Sequence, residues 1–252
     1  RQRRKHRRAM LSLASLVLAC FLAAHPAQRV SAADCEVDFT PAQPTGNAID
    51  CGGCNFRRDA NGVLYRNRNA DGGLACPGCT SLPLFGFVIT GFAPNVFCSL
   101  DEVVEMDLSD NAIGSIPSEP FEEMSALKTL KLHSNGMRAL DSNAFDDLNE
   151  LVNLTLHDNV LEPAGAGMPY GLFDDTKALE NLELNDNPTL NGTQAFVSGI
   201  FANLLELTSI DMPEDSCVPT DSPQNVLVAI AANDPTLPGC IATPVSPPTD
   251  AP

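Results

Sequence analysis

The 252-residue chain carries 15 Lys and Arg against 32 Asp and Glu, a net charge of −17, with 12 Phe, 2 Tyr and no Trp. Residues 1–32 hold seven of the basic residues and none of the acidic ones, so the rest of the chain stands at 8 against 32, a net charge of −24. A surface this acidic repels nucleic-acid phosphates and anionic membranes. That excludes nucleic acid as a partner and favours partners that carry basic groups.

The chain opens on a basic stretch, Arg1–Arg8, followed by an apolar run from Met10 to Ala24. The run has the length of a signal-peptide core and is too short to span a membrane comfortably. Pro26 breaks any helix, and Val30-Ser31-Ala32 supplies the small residues that a signal peptidase needs. Residues 1–32 therefore read as a secretory signal cleaved after Ala32, which makes the mature protein secreted or extracellular, with no membrane span within the chain.

Of nine Cys, Cys20 lies in the signal. The other eight are Cys35, Cys51, Cys54, Cys76, Cys79, Cys98, Cys217 and Cys240, and an even number in an exported chain points to disulfides. Cys51-x-x-Cys54 and Cys76-x-x-Cys79 also have the spacing of a four-thiolate zinc site. An oxidising compartment favours the disulfide reading, with Cys35 and Cys98 as further partners and the connectivity open. Neither pair is flanked by the βαβ pattern of a redox-active CxxC.

From residue 99 the chain repeats itself. Val103, Met106, Leu108, Asn111 and Ile113 match Leu127, Leu130, Leu132, Asn135 and Met137, and then Leu151, Leu154, Leu156, Asn159 and Leu161, at intervals of 24 residues. Leu179, Leu182, Leu184 and Asn187 follow after 28, and Leu207, Ile210 and Met212 after 28 more, with Asp215 in place of the Asn. Phe121 with Met124, Phe145 with Leu148 and Phe201 with Leu204 recur in the second half of each unit, and Phe173 has Thr176 where an apolar residue is expected. L-x-L spacing puts both Leu on one face of a strand, not of a helix. The Asn turns the chain and bonds backbone groups, while the Phe fills the core on the far side. One unit cannot bury its apolar face alone, so the units stack.

These residues resemble the leucine-rich repeat, in the 24-residue form common in extracellular proteins. The resemblance implies an α/β solenoid, a horseshoe with a parallel sheet on its concave side and about five repeats. Phe97, Leu100 and Val103 bring a cysteine-rich N-terminal cap into register, with Phe85, Phe87 and Ile89 alternating as a capping strand. At the far end, Asp221 or Ser222 is expected to cap a helix with Pro223 in its first turn and Val226, Leu227 and Ile230 on its apolar face. Cys217 and Cys240 flank that helix and are expected to pair. The boundaries are therefore a signal at 1–32, an N-terminal cap at 33–98, repeats at 99–216, a C-terminal cap at 217–241 and a Pro-rich tail at 242–252. Six Cys before the repeats and two after depart from the four-Cys caps frequent in the family, so no subfamily follows.

Such domains are usually recognition modules, and a rigid array of outward strand residues suits a protein or peptide ligand. The candidate binding residues are Glu105, Asp107, Asp110, Lys128, Lys131, His133, Asn153, Thr155, His157, Glu180, Glu183, Asp186 and Asp211, with Lys128 and Lys131 as a small basic patch. His133 and His157 share a repeat position and should lie about 5 Å apart on neighbouring strands. Two His with Asp158 make an incomplete ligand set for a metal, so solvated strand positions are the simpler account. No nucleophile with its base, and no phosphate-binding Gly loop, can be assembled, so the chain reads as a binding protein with no cofactor or metal and not as an enzyme. Asn153 and Asn191 head glycosylation sequons; Asn191 is the better acceptor, because a glycan on Asn153 would cover part of the concave face. The alternatives are the ectodomain of a cell-surface receptor and an acidic extracellular matrix protein.

The cysteine reading has a direct check. Free-thiol labelling of the exported protein is expected to find almost no reactive thiol. Four labelled thiols together with zinc by elemental analysis would replace the disulfides with a metal site.

Overall fold

A computed structural model describes residues 44–67, 75–163, 167–192, 195–219 and 221–233. Every described residue belongs to one compact unit, Ala32–Pro252. The expected signal, Cys35, Cys240 and the Pro-rich tail lie outside the described residues.

Each L-x-L unit becomes a three-residue strand whose central side chain is buried and whose two neighbours face outward. The strands are β4 (Ser81–Pro83), β6 (Glu105–Asp107), β8 (Thr129–Lys131), β10 (Asn153–Thr155), β11 (Asn181–Glu183) and β12 (Ser209–Asp211). They form one parallel sheet in chain order. Leu82, Met106, Leu130, Leu154, Leu182 and Ile210 stand directly opposite one another across it, all buried.

The sheet has six strands where the sequence led to about five, because the first repeat begins earlier than expected. Cys79, Leu82, Leu84, Phe87 and Ile89 lie 24 residues before Val103, Met106, Leu108, Asn111 and Ile113. Leu82, Leu84 and Ile89 are fully buried, whereas Phe85 is 62% exposed. The expected capping strand through Phe85, Phe87 and Ile89 is therefore corrected to Ser81–Pro83. Cys79 and Phe87 stand where a Leu and the Asn are usual, and this hid the unit from self-comparison.

The asparagines tie one turn to the next. Asn135 Nδ2 donates to the carbonyls of Leu108, Leu132 and His133 at 3.0, 3.0 and 3.1 Å, and its Oδ1 accepts the Ile113 amide at 3.2 Å. Asn111, Asn159 and Asn187 repeat this pattern, each with three donated bonds. The preceding residues Asp110, Ser134, Asp158 and Asp186 take positive φ, near 54°, to turn the chain inward. Asp215 makes no such bond, because a carboxylate has no proton to donate.

Behind the sheet runs a column of buried phenylalanines. Phe97 stacks on Phe121 at 5.7 Å, and Phe145, Phe173 and Phe201 follow one another at 6.2 Å. Thr176, at its apolar position, is fully buried and donates its hydroxyl to the Phe173 carbonyl, so its polar group is satisfied. A second short parallel pair, β7 (Ser115–Ile116) and β9 (Ala139–Leu140), lines the opposite side.

The N-terminal cap is a separate sheet. β1 (Pro44–Cys51), β2 (Cys54–Asp59) and β3 (Val63–Asn67) are antiparallel, and β5 (Gly91–Phe92) joins β3 in parallel. The two CxxC motifs face each other as nested disulfides, Cys51–Cys79 and Cys54–Cys76, which leaves no thiolate there for zinc. Gly52 sits between them at φ +59°, where a Cβ would lie 2.5 Å from the Cys76 carbonyl oxygen. Cys98 and Cys217 are disulfide-bonded as well. Arg66, 2% exposed, donates from Nη2 to the Cys98 carbonyl at 2.6 Å and from Nη1 to Cys76 Sγ at 3.2 Å, and burial lowers its pKa to about 10.

At the other end helix α1 (Gln224–Asn233) buries Val226, Ala229 and Ile230 against the last turn, while Leu227, expected on that face, is 36% exposed. Asn225 donates to the Leu204 and Leu207 carbonyls, and Asn233 to that of Ile210. Asp221 does not cap the helix; it accepts the Ser198 hydroxyl.

The ladder predicts a sharp contrast. Asn135→Ala strands several buried backbone groups at about 1–3 kcal/mol each, and is expected to cost about 3 kcal/mol or more of a total of about 5–15. Asn149→Ala, on an exposed turn outside the ladder, is expected to change stability by less than about 0.5 kcal/mol. Urea unfolding of both variants checks this, and equal losses would contradict it.

Candidate functional site: the outward face of the parallel sheet

The face is a grid of rows, because each repeat offers the same outward positions. One row runs Glu105, Thr129, Asn153, Asn181 and Ser209, and the next Asp107, Lys131, Thr155, Glu183 and Asp211. A third row follows where each strand ends, through Phe85, Ser109, His133, His157 and Asn185. Lys128, Asp110, Glu180, Asp186 and Asp211 are exposed, and the other predicted residues are half-buried among their neighbours.

Lys131 is not free basic surface, as the sequence reading had it. Its ammonium lies 2.9 Å from Glu105 Oε1 and 3.4 Å from Asp107 Oδ2. The hydrogen bond to Glu105 leads in raising its pKa, against burial and with help from Asp107. Burial alone would push the Asp107 carboxyl up. The Ser109 hydroxyl and amide, with Lys131, outweigh it and hold that carboxyl below its ordinary value. Ser109, which makes these bonds, is only 4% exposed.

His133 and His157 stack face to face, with ring centroids 4.3 Å apart and planes within 9°. His133 Nδ1 is 2.9 Å from Thr155 Oγ1, and His157 Nδ1 is 2.8 Å from Glu183 Oε2. Burial first, then the neighbouring His157, lowers the His133 pKa. The stack is no chelate. Imidazole lone pairs lie in the ring planes, and two parallel planes 4.3 Å apart cannot both contain an ion about 2.1 Å from each nitrogen.

The amide row was only partly foreseen. Asn181 Nδ2 donates to Asn153 Oδ1 at 2.8 Å, and Asn153 Nδ2 donates to Thr129 Oγ1 at 3.2 Å. Asn181 follows from the same alternation as Glu183 and was simply not singled out. Asn153 is thus engaged on both sides, whereas Asn191 is exposed and, among the described residues, its side chain bonds only the Pro188 carbonyl, at 2.9 Å.

The opposite turns carry carboxylates at repeat spacing. Burial first, then Asp175, Glu119, Asp147 and Asp174, raises the Asp146 pKa to about 6. Burial and then Glu119, Asp147 and Glu123 raise Glu122.

Six in-register parallel strands, one side buried and the other lined only by side chains, define a stacked-repeat solenoid whose exposed sheet face is open to a partner. The family model for the leucine rich repeat matches residues 101–161, the span in which Asn111, Asn135 and Asn159 stand. Among solved structures, the Drosophila Toll–Spatzle complex matches at 22% identity and a TM-score of 0.47, over 54% of this chain and 17% of that one. A TLR13–ssRNA13 complex matches at 23% identity and a TM-score of 0.42, over 61% and 19%. The chain thus spans less than a fifth of the length of either. Comparison with curated proteins gave no match.

The raised Asp146 pKa makes a pH prediction. The folded state holds this proton up to about pH 6, whereas the unfolded chain releases it near 3.8. Stability is therefore lost as pH rises from about 4 through 6. After discounting for solvent screening the loss is about 1 kcal/mol. Asp146→Asn is expected to be more stable than the parent at pH 7 and equal to it at pH 3.5; thermal melts at both values check this, and equal melting at pH 7 would refute it.

Proposed function

We propose that this chain is an extracellular recognition module that binds a protein or peptide through the outward face of its parallel sheet, and is not an enzyme. The observation that carries the reading is the grid itself. Its backbone groups are consumed by the sheet and the Asn ladder, and its side chains are pre-positioned by their neighbours, so little entropy remains to be lost on binding. The nested disulfides and the signal-like N-terminus support an exported protein, and the exposed sequon at Asn191 fits a glycosylated surface. The acidic balance of the face favours a partner with basic groups. Charges there act mostly on the rate of association and are screened beyond about 8 Å at physiological salt.

Photo-crosslinking tests the reading. A photoreactive side chain at Asp211, on the sheet face, is expected to capture the partner from extracellular fluid, and one at Asn149, on the opposite turns, is not. Glu180→Lys with Glu183→Lys is expected to abolish the Asp211 cross-link while leaving the melting temperature within a few degrees. Capture from Asn149 alone would move recognition to the back of the solenoid.

A further inference from the structure

The stacked histidines are placed to do more than fill a strand position. The chain has four His, at 6, 25, 133 and 157, so two fall after the expected cleavage and both are in this stack. On β10, β11 and β12 and the residues flanking them, positions 152–158, 180–186 and 208–214, there is no Lys or Arg, while Glu180, Glu183, Asp186 and Asp211 are all present. Lys131 is occupied two strands away by Glu105 and Asp107. The acidic potential of the face is thus concentrated beside His157, and the nearest carboxylate, Glu183, is the one His157 touches at 2.8 Å.

We propose that the sheet face takes a cationic segment of a partner protein on Glu183 and its neighbours, and that the His133–His157 stack releases that segment on acidification. This rests on the reading of the sheet face as the binding surface. With neutral rings, the Glu183 carboxylate keeps its charge available to an arriving guanidinium or ammonium. Protonated His157 carries its charge 2.8 Å from the Glu183 carboxylate, so it holds Glu183 as an intramolecular ion pair and competes with the ligand's cation. Protonated His133 adds a second positive charge 4.3 Å from the first. The groups set against the stack are Asp107 and Asp110 from β6 and its following turn, Thr155 on β10 and Glu183 on β11; Lys131, Asp158 and Asp186 are the other charged residues on the same strands and turns. The carboxylates among them favour protonation. At His133, burial first and then the charge of His157 oppose it and lower its pKa.

A nine-residue arginine peptide is a suitable probe, with binding measured at pH 7.5 and 5.5 at fixed ionic strength and melts run alongside. Wild type is expected to bind at pH 7.5 and to lose about tenfold in affinity at pH 5.5, that is, about 1.4 kcal/mol. For His133→Gln with His157→Gln the readout is the ratio of its affinities at the two pH values, which is expected to stay within about twofold whatever its affinity at pH 7.5. If both proteins lose affinity alike, or wild type loses none, the histidine gate is wrong and the binding surface stands. If wild type does not bind the peptide at pH 7.5, the cationic class is wrong. If Glu180→Lys with Glu183→Lys binds the peptide as wild type does, the sheet face is not where it sits, and the gate falls together with the reading beneath it.

Discussion

A chain that turns out of a strand every 24 to 28 residues must find partners for the amides and carbonyls it bends away from the sheet. In this protein one side-chain amide does this at the turns that carry Asn111, Asn135, Asn159 and Asn187, by donating to two successive repeats and accepting from the earlier one. Everything else leans on that exchange. It fixes the register of neighbouring strands, which brings Leu82, Met106, Leu130, Leu154, Leu182 and Ile210 into a single buried line. It also spaces the outward residues so closely that they meet as pairs. The two rings can stack at 4.3 Å, and Asn181 can reach Asn153, only because the turns behind them are locked.

The same repetition has an electrostatic cost. Like side chains at one repeat position become neighbours, and the protein deals with this differently on its two sides. On the sheet face the Ser109 hydroxyl and amide, with Lys131 inserted between acids, hold the Asp107 carboxyl below its ordinary value. On the opposite turns Lys177 pairs with Asp175 at 3.6 Å, yet burial first and then repulsion from Asp175 still raise the Asp146 pKa to about 6. Charge is therefore organised on the face proposed for binding and merely tolerated behind it.

Most of the solenoid was legible because its signal is periodic. L-x-L spacing, the Asn and the Phe recur, and they map directly onto strand, ladder and core column. What was not legible lay where the period was masked or where contacts join distant parts of the chain. The first strand escaped because Phe87 takes the Asn position and Cys79 a Leu position, although Leu82 and Leu84 keep the spacing. The cap hairpins and the buried Arg66 carried no repeat to read, and Arg66 reaches the Cys98 carbonyl 32 residues away. On the candidate site, alternation gave which residues face outward, and so placed the histidines side by side. It could not show that Lys131 is captured by two carboxylates or that Ser109 folds back onto Asp107, because rotamers and cross-strand pairs settle those.

The two ends of the sheet bear on what kind of partner it admits. In β4, the first strand, Pro83 contributes no amide proton, and the Cys51–Cys79 disulfide lies beside it, with Cys51 Sγ 3.3 Å from the Ser81 carbonyl oxygen. In β12, the last, the Ile210 carbonyl is occupied by Asn233 from the capping helix. An extended peptide that sought to continue the sheet by main-chain pairing would find proline and a disulfide at one border and a helix at the other. The same closure guards against end-to-end polymerisation of the strands. Recognition is left to the broad surface between the borders, where the ligand is read by side chains alone, so its sequence and charge count for more than its ability to adopt a β conformation.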